Sequence, residues 1–175
     1  MADETLVLLL TEVRGKTLRL LNGVDAKQAI FAPPGLQNTI LWHAGHALVV
    51  VEHLAVAPAT GEAPSYPAGW YDMFSWASRP GLVKNWPALA EVVAALIAQR
   101  DRLLVALRGL SEERLSASVG DGPQARTVRG SILHGLHDEA NHQGEIWLLR
   151  KLYDRRSHGD QGPGQAGLRA QHRQP

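Results

Sequence analysis

Apolar residues recur at three- and four-residue spacing in four separate stretches of this chain, and almost nowhere do they alternate. That period belongs to helices with one buried face, so the chain is committed to packing helix against helix. The first stretch runs from Asp3 to about Asn22, where Asn22-Gly23 supplies a stop. The second runs from about Thr39 to Ala55, with Asn38 or Thr39 as its cap after the loop 30-IFAPPGLQNT-39. The third begins near Asn85, with Pro87 in its first turn, and continues to about Leu110. The fourth spans Thr127 to around Arg155. Four amphipathic helices with no strand between them predict an all-α four-helix bundle.

The connections are unequal. Between the second and third helices, residues 56–84 are rich in proline, glycine and aromatic residues, too long and too broken for a simple connector. Trp70, Tyr71, Phe74 and Trp76 would be costly to leave in water and are expected to lie across the bundle. Residues 158–175 lack apolar periodicity and read as a disordered tail, which leaves 1–157 as a single domain.

Charge and composition narrow the function classes. Eighteen basic residues against seventeen acidic leave a net charge of +1, without the concentrated basic face that phosphate backbones require, so no nucleic-acid partner is expected. The chain has no cysteine, which excludes disulfides, thiolate ligands and a protein-borne thiol nucleophile. The start of the chain lacks the features of a secretory signal, and no segment reads as the roughly 20 apolar residues of a membrane span. A cytoplasmic protein with no membrane partner is the expectation.

Six of the eight histidines fall on the second and fourth helices. In 134-HGLHDEANHQGE-145, His134, Asp138, Asn141, His142 and Glu145 share a sector about 100° wide on a helical wheel. The direction of that stripe is taken further on by Leu148, Leu149 and Leu152, which a solvated face would not do. Asp138 and His142 also stand four apart, the separation that brings two side chains of one helix to one ion. On the second helix, His43, His46 and His53 share a sector of about 80°. Gly45 beside them costs helix stability of about 1 kcal/mol and implies a close approach. Glu12 and Glu139 read as solvated, and Glu52 as pointing away from the His43 strip.

The segments WHAGHALVVVEHL and LHDEANHQGEIWLLRKL, and more loosely the loop GWYDMF, resemble the DinB/YfiT-like family over about residues 1 to 155. The resemblance implies an up-down-down-up bundle, a divalent metal near one end, and a homodimer. Its helix-two histidine maps onto His46, and the second histidine of its His-x-x-x-His pair maps onto His142. Two positions depart from the family pattern: Asp138 stands where the first histidine of the pair is expected, and Glu145 replaces a glutamine.

Two arrangements follow. In one, His46, Asp138 and His142 form a two-histidine, one-carboxylate site for iron, zinc, nickel or manganese. In the other, His134 or His137 is the ligand and Asp138 orients an imidazole from behind. Geometry favours the first, because His137 and His142 diverge by about 140°. The resemblance implies metal-dependent chemistry on a small-molecule substrate with a low-molecular-weight thiol, as in S-transferases and hydrolase-like relatives; Glu145 is placed to accept a proton, and the aromatic segment 66–80 is expected to roof the substrate pocket. A non-enzymatic, stress-associated bundle acting through dimerisation or partner binding is the alternative. A fragment of a sulfoxide-synthase-like iron oxygenase would need a second domain.

Overall fold

The computed structural model describes residues 3–159 as four long helices: α1 (Glu4–Leu21), α2 (Ile40–Thr60), α3 (Leu89–Gly109) and α4 (Val128–Gly159). The all-α class holds. Within the described residues the β-structure is a two-residue antiparallel ribbon, Ser118–Val119 against Arg126–Thr127, ahead of α4. The expected tail lies outside the described residues except for its first two, which continue α4.

Capping sets the helix starts. The Asp3 carboxylate accepts from the Thr5 and Leu6 amides, and Thr39, rather than Asn38, accepts from Trp42 N–H at 3.1 Å. α3 starts four residues later than the periodicity predicts. A residue before proline is driven away from helical backbone, so Trp86 cannot open the helix, and the start falls after Pro87. The Ala88 amide then donates to Glu91 Oε2 at 2.7 Å.

Side-chain contacts fix the helix directions. Arg129 reaches Asp3, Glu139 meets Arg14, and Arg150 donates to the Leu20 carbonyl, so α1 and α4 run the same way. α2 runs against α4, because His43 faces Glu145 while Ser131 bonds the Leu54 carbonyl. α3 runs with α2: Gln99 donates to Leu48 O, and Arg114, just past α3, donates to Pro58 O.

α2 is the core helix, with every residue from Ile40 to Val51 buried. By length and composition it could cross a membrane, unlike any segment in the sequence reading, yet its most apolar stretch is 83% buried inside the bundle. The helix does not end at Ala55. It passes through a π-helical turn, Glu52–Val56, and stops at Gly61, whose φ of +78° suits glycine.

Glu139 corrects the reading from sequence: it is fully buried, not solvated. Arg14, equally buried, grips it with two parallel bonds of 2.8 and 2.9 Å, and Thr17 Oγ1 donates to it at 2.6 Å. Arg14 also donates to Leu96 O and to Gln99, and Gln99 in turn donates to Glu52. A buried ion pair is tolerated only when its remaining hydrogen-bonding capacity is met, and here all four helices contribute. Glu12 is exposed.

Candidate metal centre

α2 and α4 cross where Gly135 lets Leu54 approach; a Cβ at 135 would lie 3.1 Å from Leu54 Cβ. Within about three turns of that crossing, the i, i+3 pair His43 and His46 faces the i, i+4 pair Asp138 and His142. Asp138 Oδ2 lies 3.7 Å from His46 Nε2 and 3.4 Å from His142 Nε2. One ligand atom from each of these three residues fits within 4.8 Å of the others. Two ligands about 2.1 Å from a shared tetrahedral ion stand about 3.4 Å apart, so the spacing matches the edge of a coordination sphere.

The electrostatics suit a cation. His43 and His46 are only 2% and 6% exposed. Burial, reinforced by repulsion from the neighbouring rings, drives His43 down to about 3 and also lowers His46, so both are neutral at ordinary pH. The Asp138 carboxyl is ionised at ordinary pH, as aspartates are. Asp138 Oδ2 is nevertheless buried with no hydrogen-bond partner. An orphaned buried carboxylate oxygen costs at least about 1–3 kcal/mol. A divalent ion between it and the two imidazoles would remove that cost, so the donor set fits a metal.

The long connection closes the back of this site. The Phe74 carbonyl accepts from His46 Nδ1 at 2.6 Å, and Trp42 stacks on the His46 ring with centroids 4.6 Å apart. Trp42 is itself held by Ser78, 2.8 Å from its indole N–H. The close approach implied by Gly45 is that of Phe74, whose ring would lie 2.3 Å from a Cβ there. Trp70 and Phe74 are buried as expected, but Trp76 is 65% exposed.

The expected roof over a substrate pocket is corrected. A cleft of about 590 Å³ opens beside His43 and Glu145, and its other walls are Gly35–Asn38 from the connection before α2 and Leu148 and Leu149 of α4. No residue of the 66–80 segment lines it. Hydrophobic contact draws Trp70 and Phe74 of that segment onto α2 instead, with the Phe74 ring against Gly45. A larger groove of about 760 Å³ lies between α1 and α3 but has no histidine or carboxylate on its walls.

The family model of the DinB superfamily matches residues 9–146. The chain belongs to that superfamily. Two solved structures share the DinB fold with it. A conserved protein of Enterococcus faecalis aligns with a TM-score of 0.66 at 15% identity, covering 87% of this chain and 97% of its own. A DinB-like protein of Bacillus subtilis aligns with a TM-score of 0.62 at 15% identity, covering 86% and 92%. Among curated proteins, none matches the sequence.

Within this DinB bundle the predicted stripe on α4 splits. Asp138 and His142 turn inward, while His134, His137 and Asn141 are exposed, so neither alternative histidine stands beside His46. Glu145 lies outside the three-residue cluster but forms a second one with His43 and His142, their ligand atoms within 4.8 Å of one another; it is 59% exposed on the cleft wall and 2.9 Å from His43 Nε2. His53 leaves the histidine strip: the π-turn shifts the helix register, and its Nε2 lies 3.0 Å from the Tyr66 hydroxyl. Spacing puts His43 on one strip with His46 but does not pair it with the fourth helix. Its contact with His142, Nδ1 to Nδ1 at 2.9 Å, depends on the interhelical approach and leaves no pattern within either helix.

Proposed function

We propose that this DinB protein binds one divalent metal ion through His46, Asp138 and His142, and that it is a metal-dependent thiol transferase or hydrolase. The observation that carries the reading is Asp138 Oδ2, buried and without a hydrogen-bond partner between two imidazole nitrogens. A divalent ion with open positions acidifies a water or a thiol, making either a nucleophile near neutral pH. The chain supplies no thiol of its own, so a sulfur nucleophile comes from a small-molecule substrate.

The residues around the ion do the positioning. Trp42 and the Phe74 carbonyl hold His46, and the buried histidines exclude bulk water from one side. The cleft, apolar at Leu36, Leu148 and Leu149 and polar at Gln37 and Asn38, receives the substrate. Glu145 on its wall is the proton acceptor: a carboxylate accepts about four hydrogen bonds, so holding His43 leaves capacity for the substrate. The same reading has the protein working as a cytoplasmic homodimer.

Elemental analysis of protein purified without a polyhistidine tag tests the site. About one equivalent of zinc, nickel, iron or manganese is expected in the wild type and little in His142→Ala. Equal metal content in the two proteins removes it. Thiol-dependent turnover that is lost on metal removal and restored on addition then tests the activity.

A further inference from the structure

We propose that Glu145 and His43 form a polarity lock: together they fix the proton of His142 on Nδ1, so that its Nε2 lone pair faces His46 and Asp138. The inference rests on the metal reading above but makes a separate claim about protons.

A neutral imidazole carries one proton on two nitrogens, and each neighbour decides where it sits. A carboxylate only accepts, so the 2.9 Å contact with Glu145 Oε2 places the His43 proton on Nε2. His43 Nδ1 is therefore a bare acceptor. Its partner at 2.9 Å is His142 Nδ1, and a bond between two ring nitrogens needs one hydrogen. His142 supplies it, which leaves His142 Nε2 bare and 3.4 Å from Asp138 Oδ2. His46 reaches the same state by another route, because the Phe74 carbonyl accepts from its Nδ1 and leaves Nε2 bare. Three lone pairs thus converge with no hydrogen among them.

The two locks differ in kind. The one on His46 is main chain and buried. The one on His142 runs outward through His43 to a carboxylate on the wall of the cleft, so the cleft and the ligand set are joined by three side chains in series. His43 and Glu145 are positioning residues here, acting on the ion only through His142. Partners that orient a ligating imidazole typically carry 10–100-fold in metal affinity.

The test uses full-length, metal-free protein with ¹⁵N-labelled histidine. Long-range ¹H–¹⁵N correlation at neutral pH is expected to show His43 protonated at Nε2 and His142 at Nδ1. In Glu145→Ala the two rings should lose that fixed pattern and populate mixed tautomers. Zinc affinity by calorimetry should fall by about 10–100-fold, with Glu145→Gln intermediate. The metal-free melting temperature should stay unchanged, since Glu145 is largely exposed. A wild-type His142 protonated at Nε2 would overturn the lock. So would a Glu145→Ala protein with unaltered tautomers and zinc affinity, or a second zinc bound by His43 and Glu145. If the tautomers are as expected but no zinc binds, the metal reading fails and the lock stands.

Discussion

Gly45 and Phe74 occupy adjoining space so closely that a single methyl group at position 45 would overlap the phenyl ring, at 2.3 Å. Gly45→Ala should gain about 1 kcal/mol of helix propensity. Overpacking a fully buried ring costs roughly 1–3 kcal/mol, and the clash should win. Because the Phe74 carbonyl holds His46, the variant should also bind zinc more weakly. Urea unfolding and calorimetry check the two effects, and a more stable variant would contradict the packing described here.

The Arg14–Glu139 pair should behave asymmetrically. Arg14→Met alone strands a buried carboxylate and should cost about 3–5 kcal/mol in chemical denaturation. Arg14→Met combined with Glu139→Leu should recover at least half of that loss, since an apolar pair of similar volume strands no charge. Equal losses in the single and double variants would mean that the network's neutral members, Thr17 and Gln99, dominate.

Acid should destabilise the metal-free protein well above the carboxylate range. His43 is held neutral in the fold down to about pH 3, whereas in the unfolded chain it takes a proton near its ordinary 6.5. The unfolded state therefore binds more protons between those values. Stability from this group is fully present above about pH 6.5 and declines by up to about 1.4 kcal/mol per unit as pH falls through that window. The lowered value of His46 acts in the same direction. Denaturation midpoints at pH 7.5 and 5 measure the difference, and His43→Asn should flatten the slope.

Asp138→Asn should separate stability from binding. Without metal it relieves a buried, unpartnered anionic oxygen, so the variant should be as stable as the wild type or more so. With zinc at about 100 times its dissociation constant, the wild type should gain about 2.7 kcal/mol and the variant far less. Thermal melts with and without zinc decide it.

The pieces of the candidate site that were legible in the sequence are those whose spacing acts within one helix. Asp138 and His142 share a face because they are four apart, and Gly45 announced a neighbour because alanine would otherwise suit a helix better. Glu139 was misread because its partner lies on another helix: nothing near residue 139 reports Arg14. Helix four also touches both α1 and α2, so no single buried stripe organises it, and even Trp147 is 50% exposed. The cleft wall formed by Gly35–Asn38 was hidden for the same reason. It exists only once the loop before α2 folds against the far end of α4.

The π-helical turn at Glu52–Val56 inserts its extra residue after the ligand-bearing part of α2 and before its end. A superfamily member with an unbroken helix would carry, at the height of His53, a side chain numbered one place differently, while positions at the height of His43 and His46 stay in step. Against such a member, this helix is comparable number for number only as far as Val51. Beyond that point, shared geometry and shared column part company, and a histidine matched by counting alone is matched to the wrong neighbour.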